Sequence, residues 1–417
     1  MMEQKQKIVI VILAIAILAV ILAAGFLRSA TGTGIEQLPG SPSAAPADGR
    51  DLFPDKAWPE RAQGYSVEYH GTYKVVRTYD PWGRASGNHT YLLVQRGEEV
   101  PEGYPDARVF SIPVESVITL SVSQPAYLGA INETSSIKGH NGLGQVFDEK
   151  FQERVKAGQI AEIGSSTLSM NNPLKTETMI ELSPDVVFCS ASGYPEYDNQ
   201  QKLVEAGLRP AVAGDWMEDD PLARAEWIKF YALFFNREKE ANDYFRTIEQ
   251  NYQTIRETAA CAARRPTIVS GFEYQGTWYA SGGDSYVARL FSDAGGNYLL
   301  ANYSGGGDIP LDFEVVYDQG HDADFYINIG LIGGVEDLLA RDPRYAKFDA
   351  IKKGAIYHFD ARSNEYGSLD YWESGTVRPD VILADLVKIL HPDLLPDHGL
   401  SYYRQVTTGS NGDSHET

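Results

Sequence analysis

One long helical pattern, residues 236–266, lies between two segments that alternate short β-rich runs with helical spacings, and it restricts the chain to few architectures. Apolar residues recur at Ala241, Tyr244, Phe245, Ile248, Tyr252, Ile255 and Ala259, three and four apart, so one stripe runs along an α-helix. Asn236 suits the N-cap, Glu238 and Glu240 the positive end, and Arg264, Arg265 and Pro266 the stop. About 26 helical residues rise roughly 39 Å, enough to run the length of a two-lobed molecule. Asp220 and Pro221, a cap and first-turn pair, open a shorter helix through Trp227, Ile228, Tyr231 and Phe235 that clamps one lobe to the long helix.

Strand-like runs at 116–122, 185–189 and 210–213 precede the long helix, and runs at 267–271, 324–329 and 355–359 follow it, with helical patterns between them. This βα alternation predicts an α/β fold of two Rossmann-like lobes, each with a parallel sheet, and a ligand cleft beyond the facing carboxyl ends of the strands. Those ends carry Tyr194, Trp216, Trp278, Asn328, Arg362 and Trp372, and Ser123 and His140, the latter in a glycine-rich loop near the cleft, join them as candidate ligand-binding residues. Earlier, residues 69–79 and 89–96 flank Asp80-Pro-Trp82-Gly and predict an antiparallel hairpin added to the first lobe. A final helix spans 379–390, and the glycine-, serine- and acid-rich tail from Gly409 has the composition of a disordered end.

The N-terminus has a different character. Lys5 and Lys7 precede Ile8 to Leu27, an uncharged run of about 20 residues, the length that crosses a bilayer. It is longer than a signal h-region and no cysteine stands just after it to take a lipid, so an uncleaved anchor with the bulk outside is expected. Gly, Pro, Ser and Ala dominate the next stretch and predict a flexible tether. The expected divisions are 1–28 anchor, 29–63 linker, 64–220 first lobe with the hairpin, 221–265 clamp and inter-lobe helices, 266–408 second lobe, and 409–417 tail. Sequons at Asn88, Asn132 and Asn302 are compatible with an external location.

Charge and motif content narrow the chemistry. With 57 acidic against 36 basic residues and a net charge of −21, binding to nucleic acid is disfavoured. Cys189 and Cys261 form no CxxC pair, so neither a disulfide framework nor a zinc site is indicated. No Walker loop, HExxH, GxSxG or strand-GxGxxG-helix unit occurs, and the glycines at 282–283, 305–307, 330 and 333–334 read mainly as turn chemistry. No catalytic residue, metal ligand or cofactor is assigned. Twenty-five tyrosines and six tryptophans, many beside glycines, point to a stacking surface.

Two stretches occupy equivalent places in the two halves: Glu177-Thr-Met-Ile-Glu-Leu-Ser-Pro-Asp185 and Asp312-Phe-Glu314-Val-Val-Tyr-Asp318, each with a glutamate heading a helix that leads into a strand. With the long helix and Tyr371-Trp-Glu-Ser-Gly-Thr-Val-Arg-Pro-Asp380, they resemble the metal-chelate-binding proteins of ABC importers, over roughly 112–395. The resemblance implies that Glu177 and Glu314 dock onto arginines of a transmembrane permease with its ATPase. His321 stands where the proline of the first motif would fall, which makes the second assignment less direct. It also implies a monomer whose lobes move modestly about one helix, with a cleft for an iron chelate or corrinoid. Trp82, Tyr194, Trp216, Trp278 and Trp372 would wall that cleft, and Arg362 would meet ligand carboxylates or phosphates. Two other classes stay open at this level: an extracellular metal-cofactor-handling enzyme or chelatase on a similar frame, and a ligand-sensing surface protein.

Overall fold

The computed structural model describes residues 50–79, 88–165, 173–190, 199–330 and 333–407. The apolar run at 8–27, most of the tether, Trp82, Tyr194 and the tail from Gly409 lie outside the described residues. Among those described, no helix is long and apolar enough to cross a membrane.

An N-terminal sheet comes first, ordered β1 (Tyr65–Tyr69), β2 (Tyr73–Thr78), β3 (His89–Gln95), β4 (Arg108–Ile112). The run read as one strand at 69–79 is broken by a turn through Gly71, whose φ of 72° suits glycine, so a further hairpin precedes the expected one. The fourth strand, which was not expected, pairs parallel to β3.

Lobe 1 is a five-stranded parallel sheet in the order β7-β6-β5-β8-β9, from β5 (Val117–Thr119), β6 (Ile137–Asn141), β7 (Ala161–Gly164), β8 (Val186–Ser190) and β9 (Pro210–Ala213). Its helices are α1 (Ser123–Ala130), α2 (Glu149–Lys156), α3 (Thr176–Leu182) and α4 (Gln200–Glu205). Alternation along the strands assigns the faces. Ile118 and Val187 pack with Met179 of α3 and Leu203 of α4, whereas Val117, Val186 and Phe188 join the main core.

Next come α5 (Pro221–Leu233) and α6 (Glu238–Ala260). Asp220 caps α5 by accepting from the amides of Leu222 and Ala223. The long helix is 23 residues, starting after Arg237 and stopping at Cys261, before the basic residues expected to end it. Asn236 is not its cap. With φ 55° it turns the corner between the two helices, and its side chain accepts from Lys74 Nζ (2.9 Å) and donates to Gln95 (2.8 Å).

Lobe 2 interleaves two sheets, from β10 (Thr267–Ser270), β11 (Phe272–Tyr274), β12 (Thr277–Ser281), β13 (Asn297–Tyr298), β14 (Asp308–Leu311), β15 (Phe325–Ile327), β16 (Ile356–His358) and β17 (Arg404–Gln405). The main sheet, β13-β10-β15-β16-β17, is parallel except for its last strand. A small antiparallel sheet, β11-β12-β14, stands beside it. The helices are α7 (Tyr286–Asp293), α8 (Phe313–Gly320), α9 (Val335–Arg341), α10 (Asp349–Lys352), α11 (Ser374–Val377) and α12 (Pro379–Leu390).

The two lobes use the same device at the amino ends of their sheets. Asp185, before β8, accepts from Ser116 N at 3.0 Å, and Asp324, before β15, accepts from Thr267 N at 2.9 Å. Each carboxylate caps the strand beside it, a local economy available wherever two parallel strands start together.

The N-terminal module is fastened to the linking helices. Glu226 of α5, fully buried, accepts from three successive amides, Glu60 (2.9 Å), Arg61 (2.7 Å) and Ala62 (2.7 Å), and pairs with Lys229. Glu218 continues the run by accepting from the amides of Gln63 and Gly64 (both 2.9 Å) and from Trp227 Nε1 (3.0 Å). Phe234 then joins Phe110 of the N-terminal sheet to Phe188 of lobe 1, with ring centroids 5.3 and 5.2 Å away.

Candidate functional site

At the carboxyl edge of lobe 1, the turn after β5 is held by Gln124, whose Oε1 accepts from Leu120 N (2.8 Å) and Ser121 N (3.2 Å). Ser123 Oγ donates to Asp215 Oδ2 at 3.2 Å, tying the start of α1 to the end of β9. Burial pushes the Asp215 carboxyl up to about 6, against the pull of Ser123 and Arg224. Trp216 is half-buried on the next turn.

The opposing edge of lobe 2 carries Asn328, in a left-handed conformation (φ 63°) just after β15, and the 362–376 segment. Arg362 is exposed, but its Nη1 lies 2.9 Å from Asp370 Oδ2, and Asp370 is fully buried. The guanidinium expected to receive a ligand anion is therefore already neutralised within the fold. Trp372 is 37% exposed and packs edge-on against Tyr371.

Two expected wall residues sit elsewhere. Trp278, on β12, is completely buried among Phe313, Tyr326, Tyr345 and Phe348, and its Nε1 donates to Ser270 O at 3.1 Å. It is the centre of lobe 2's aromatic core, because the small antiparallel sheet folds β12 inward. His140, expected in a loop, lies in β6, fully buried, with Nδ1 on Thr119 Oγ1 (2.7 Å) and its ring edge-on to Phe151. Burial lowers its pKa to about 3, so it is a neutral core histidine.

Contacts missed in the sequence close the seam between the lobes. Glu373, 1% exposed, reaches from lobe 2 to accept from Phe147 N (2.6 Å) and Asp148 N (2.9 Å) of lobe 1. Burial pushes its carboxyl up to about 8; the two amides oppose the rise, and nearby Asp370 and Asp148 add to it. Asn364 donates to Gly144 O (2.9 Å), and Tyr366 covers Gly144 so closely that a Cβ there would meet its ring at 2.4 Å. On the helix side, the Arg224 guanidinium lies 3.6 Å from the centre of the Tyr286 ring. No sequence motif marks these residues; only proximity in the fold does.

Glu177 and Glu314 occupy the first turns of α3 and α8, both exposed, one on each lobe. Glu314 has Arg344 Nη1 at 3.5 Å, while Glu177 makes no ion pair among the described residues. Among those residues there is no group of three or more His, Cys, Asp or Glu side chains placed to hold a metal ion.

Residues 151–363, half of the chain, match the family model described as periplasmic binding protein. An uncharacterized lipoprotein of Methanocaldococcus jannaschii is 28% identical over 337 residues, 77% of each chain. Among solved structures, a periplasmic binding protein from Veillonella parvula superposes with a TM-score of 0.55 at 10% identity, covering 76% of this chain and 98% of that one. A periplasmic heme-binding protein from Pseudomonas aeruginosa does so with 0.51 at 16%, covering 71% and 99%. Fold and family agree with a solute-binding rather than an enzymatic role, and this chain belongs to the periplasmic binding protein family, the solute-binding components of ABC importers.

Proposed function

We propose that this protein captures a metal chelate, an iron chelate in preference to a corrinoid, between its lobes outside the cytoplasmic membrane and delivers it to an ABC permease. The observation that carries the reading is the pair Glu177 and Glu314, exposed carboxylates at equivalent first turns of the two lobes. Exposed carboxylates on separate lobes suit docking onto a partner surface. Each exposed ion pair contributes only about 0–1 kcal/mol, but two fixed points set orientation. The heme-binding and lipoprotein descriptions of the relatives support a metal-chelate ligand and a membrane-tethered location, and the apolar run at 8–27 would supply the tether. Ser123, Trp216, Asn328 and Trp372 are the expected cleft residues that remain in this proposal.

The test is uptake of radiolabelled ferric chelate by cells carrying Glu177→Ala with Glu314→Ala. Uptake should fall to background while chelate binding by the purified protein is unchanged. Normal uptake by the double variant would remove the docking role.

A further inference from the structure

We propose that Asn132 and Asn302 are N-glycosylated, each carrying an oligosaccharide on its side-chain nitrogen. This rests on the external location in the reading above and adds a covalent modification to both lobes. The two residues head acceptor triplets, Asn132-Glu133-Thr134 and Asn302-Tyr303-Ser304, with a hydroxyl two positions on and no proline between.

Such a triplet is short enough to arise by chance, and the fold supplies what it lacks. Transfer requires an amide that reaches solvent from a turn or loop and is not already bonded within the protein. Among the described asparagines outside helices and strands, Asn199, Asn236, Asn328 and Asn364 are partly buried, while the exposed ones are Asn88, Asn132 and Asn302, the three that head sequons. The side-chain amides of Asn132 and Asn302 make no hydrogen bond among the described residues. Those of Asn236, Asn242, Asn251 and Asn364 are all committed, to Gln95, Lys56 O, Asp380 and Gly144 O.

In each triplet the middle residue is tied to the fold and the asparagine stays outside. Asn132 ends α1 in a left-handed turn (φ 62°), its backbone N donating to Gly129 O at 3.0 Å, and Glu133 accepts from Arg237 Nε at 2.7 Å. Asn302 follows β13; next to it, Tyr303 O accepts from Gly283 N (2.7 Å) and the Tyr303 hydroxyl accepts from Gln319 Nε2 (2.6 Å). A left-handed turn alone would account for an asparagine at 132. Asn302 has no positive φ and so no such account. Neither connection belongs to α3 or α8, the helices that carry Glu177 and Glu314.

The co-substrate is a lipid-phosphate-linked oligosaccharide, used by a membrane transferase on the external face. The bond between sugar C1 and the phosphate oxygen breaks, a bond from C1 to Asn Nδ2 forms, and Nδ2 gives up one of its two protons as the lipid phosphate leaves. Nothing is oxidised or reduced.

The full chain is purified in mild detergent from the membranes of its own cells, and its peptides are mapped by mass spectrometry. In parallel, intact and lysed cells are treated with a membrane-impermeant maleimide, which reads the side of the membrane through the exposed Cys261. The peptides containing Asn132 and Asn302 should carry added mass that fragments by successive loss of sugars, and Cys261 should react in intact cells. Ser304→Ala, at an exposed position, should leave Asn302 bare, and Ser304→Thr should keep it modified. Asn132→Gly, which preserves the left-handed turn, should lose one oligosaccharide. Bare Asn132 and Asn302 in a chain whose Cys261 reacts in intact cells overturn the proposal and leave the external location standing. Bare asparagines with Cys261 reactive only after lysis overturn both. Sugar retained on the 302 peptide of Ser304→Ala removes the Asn302 assignment.

Discussion

Glu373 Oε2 accepts from Phe147 N at 2.6 Å, so a buried carboxylate of lobe 2 is bonded to the backbone of lobe 1. The bond joins the two lobes beside the Asn364–Gly144 contact. Its pH dependence follows from where the proton resides. A solvated glutamate titrates near about 4.3, whereas Glu373 in this closed arrangement is pushed up to about 8 by burial. Closing the contact therefore takes up a proton. Closure should be most favourable below about pH 4.3 and weaken progressively as the pH rises to about 8. Hydrogen exchange at the amides of Phe147 and Asp148, corrected for intrinsic rate, should show protection falling across that window. Glu373→Gln should flatten the profile, and protection independent of pH in the wild type would exclude the mechanism.

Lys74 and Glu238 are an ion pair with both side chains buried, and the Lys74 amine also donates to Leu233 O (2.8 Å) and Asn236 Oδ1 (2.9 Å). The amine thus satisfies the end of α5, the corner residue and the start of α6 at once. Removing one member leaves a buried charge unpaired, so Lys74→Met should destabilise by about 3–5 kcal/mol. Lys74→Met with Glu238→Leu should recover much of that loss. Chemical denaturation of the two variants and the wild type provides the comparison, and equal stability of Lys74→Met and wild type would contradict it.

Trp278 and Trp372 lie in the same lobe and should differ sharply in the cost of truncation. Trp278→Ala opens a cavity among Phe313, Tyr326, Tyr345 and Phe348 and leaves Ser270 O without its donor, so a loss of about 3–5 kcal/mol is expected. Trp372→Ala, at a partly exposed site, should shift stability far less. Thermal unfolding of both variants decides the matter, and comparable melting temperatures would refute this assignment of core and surface.

Much of the frame is legible in the chain. Six strands expected from β-rich runs between helical patterns appear as β5, β8, β9, β10, β15 and β16. The stripe from Ala241 to Ala259 forms α6, because side-chain burial repeats with helical period whatever lies opposite. β6 escaped notice since Ile-Lys-Gly-His-Asn has neither alternation nor β-branched runs; its place between β5 and β7 makes it a strand. The small sheet containing β12 was equally silent, and with it went the burial of Trp278. A tryptophan beside Gly276 reads as a loop aromatic until another sheet is laid over it.

By itself, the sequence determined the two βα halves, the helix between them and the glutamates heading equivalent helices, since periodicity and capping act over a few residues. Only the tertiary structure decided which charged and aromatic groups face the seam. Arg362 is neutralised by Asp370, eight positions away, and the Arg224 guanidinium rests against the Tyr286 ring, 62 positions away. Glu373 meets Phe147 across 226 positions of chain. Whether a charge is available depends on what lies within a few ångströms of it, and in a two-lobed fold those neighbours come from distant parts of the chain.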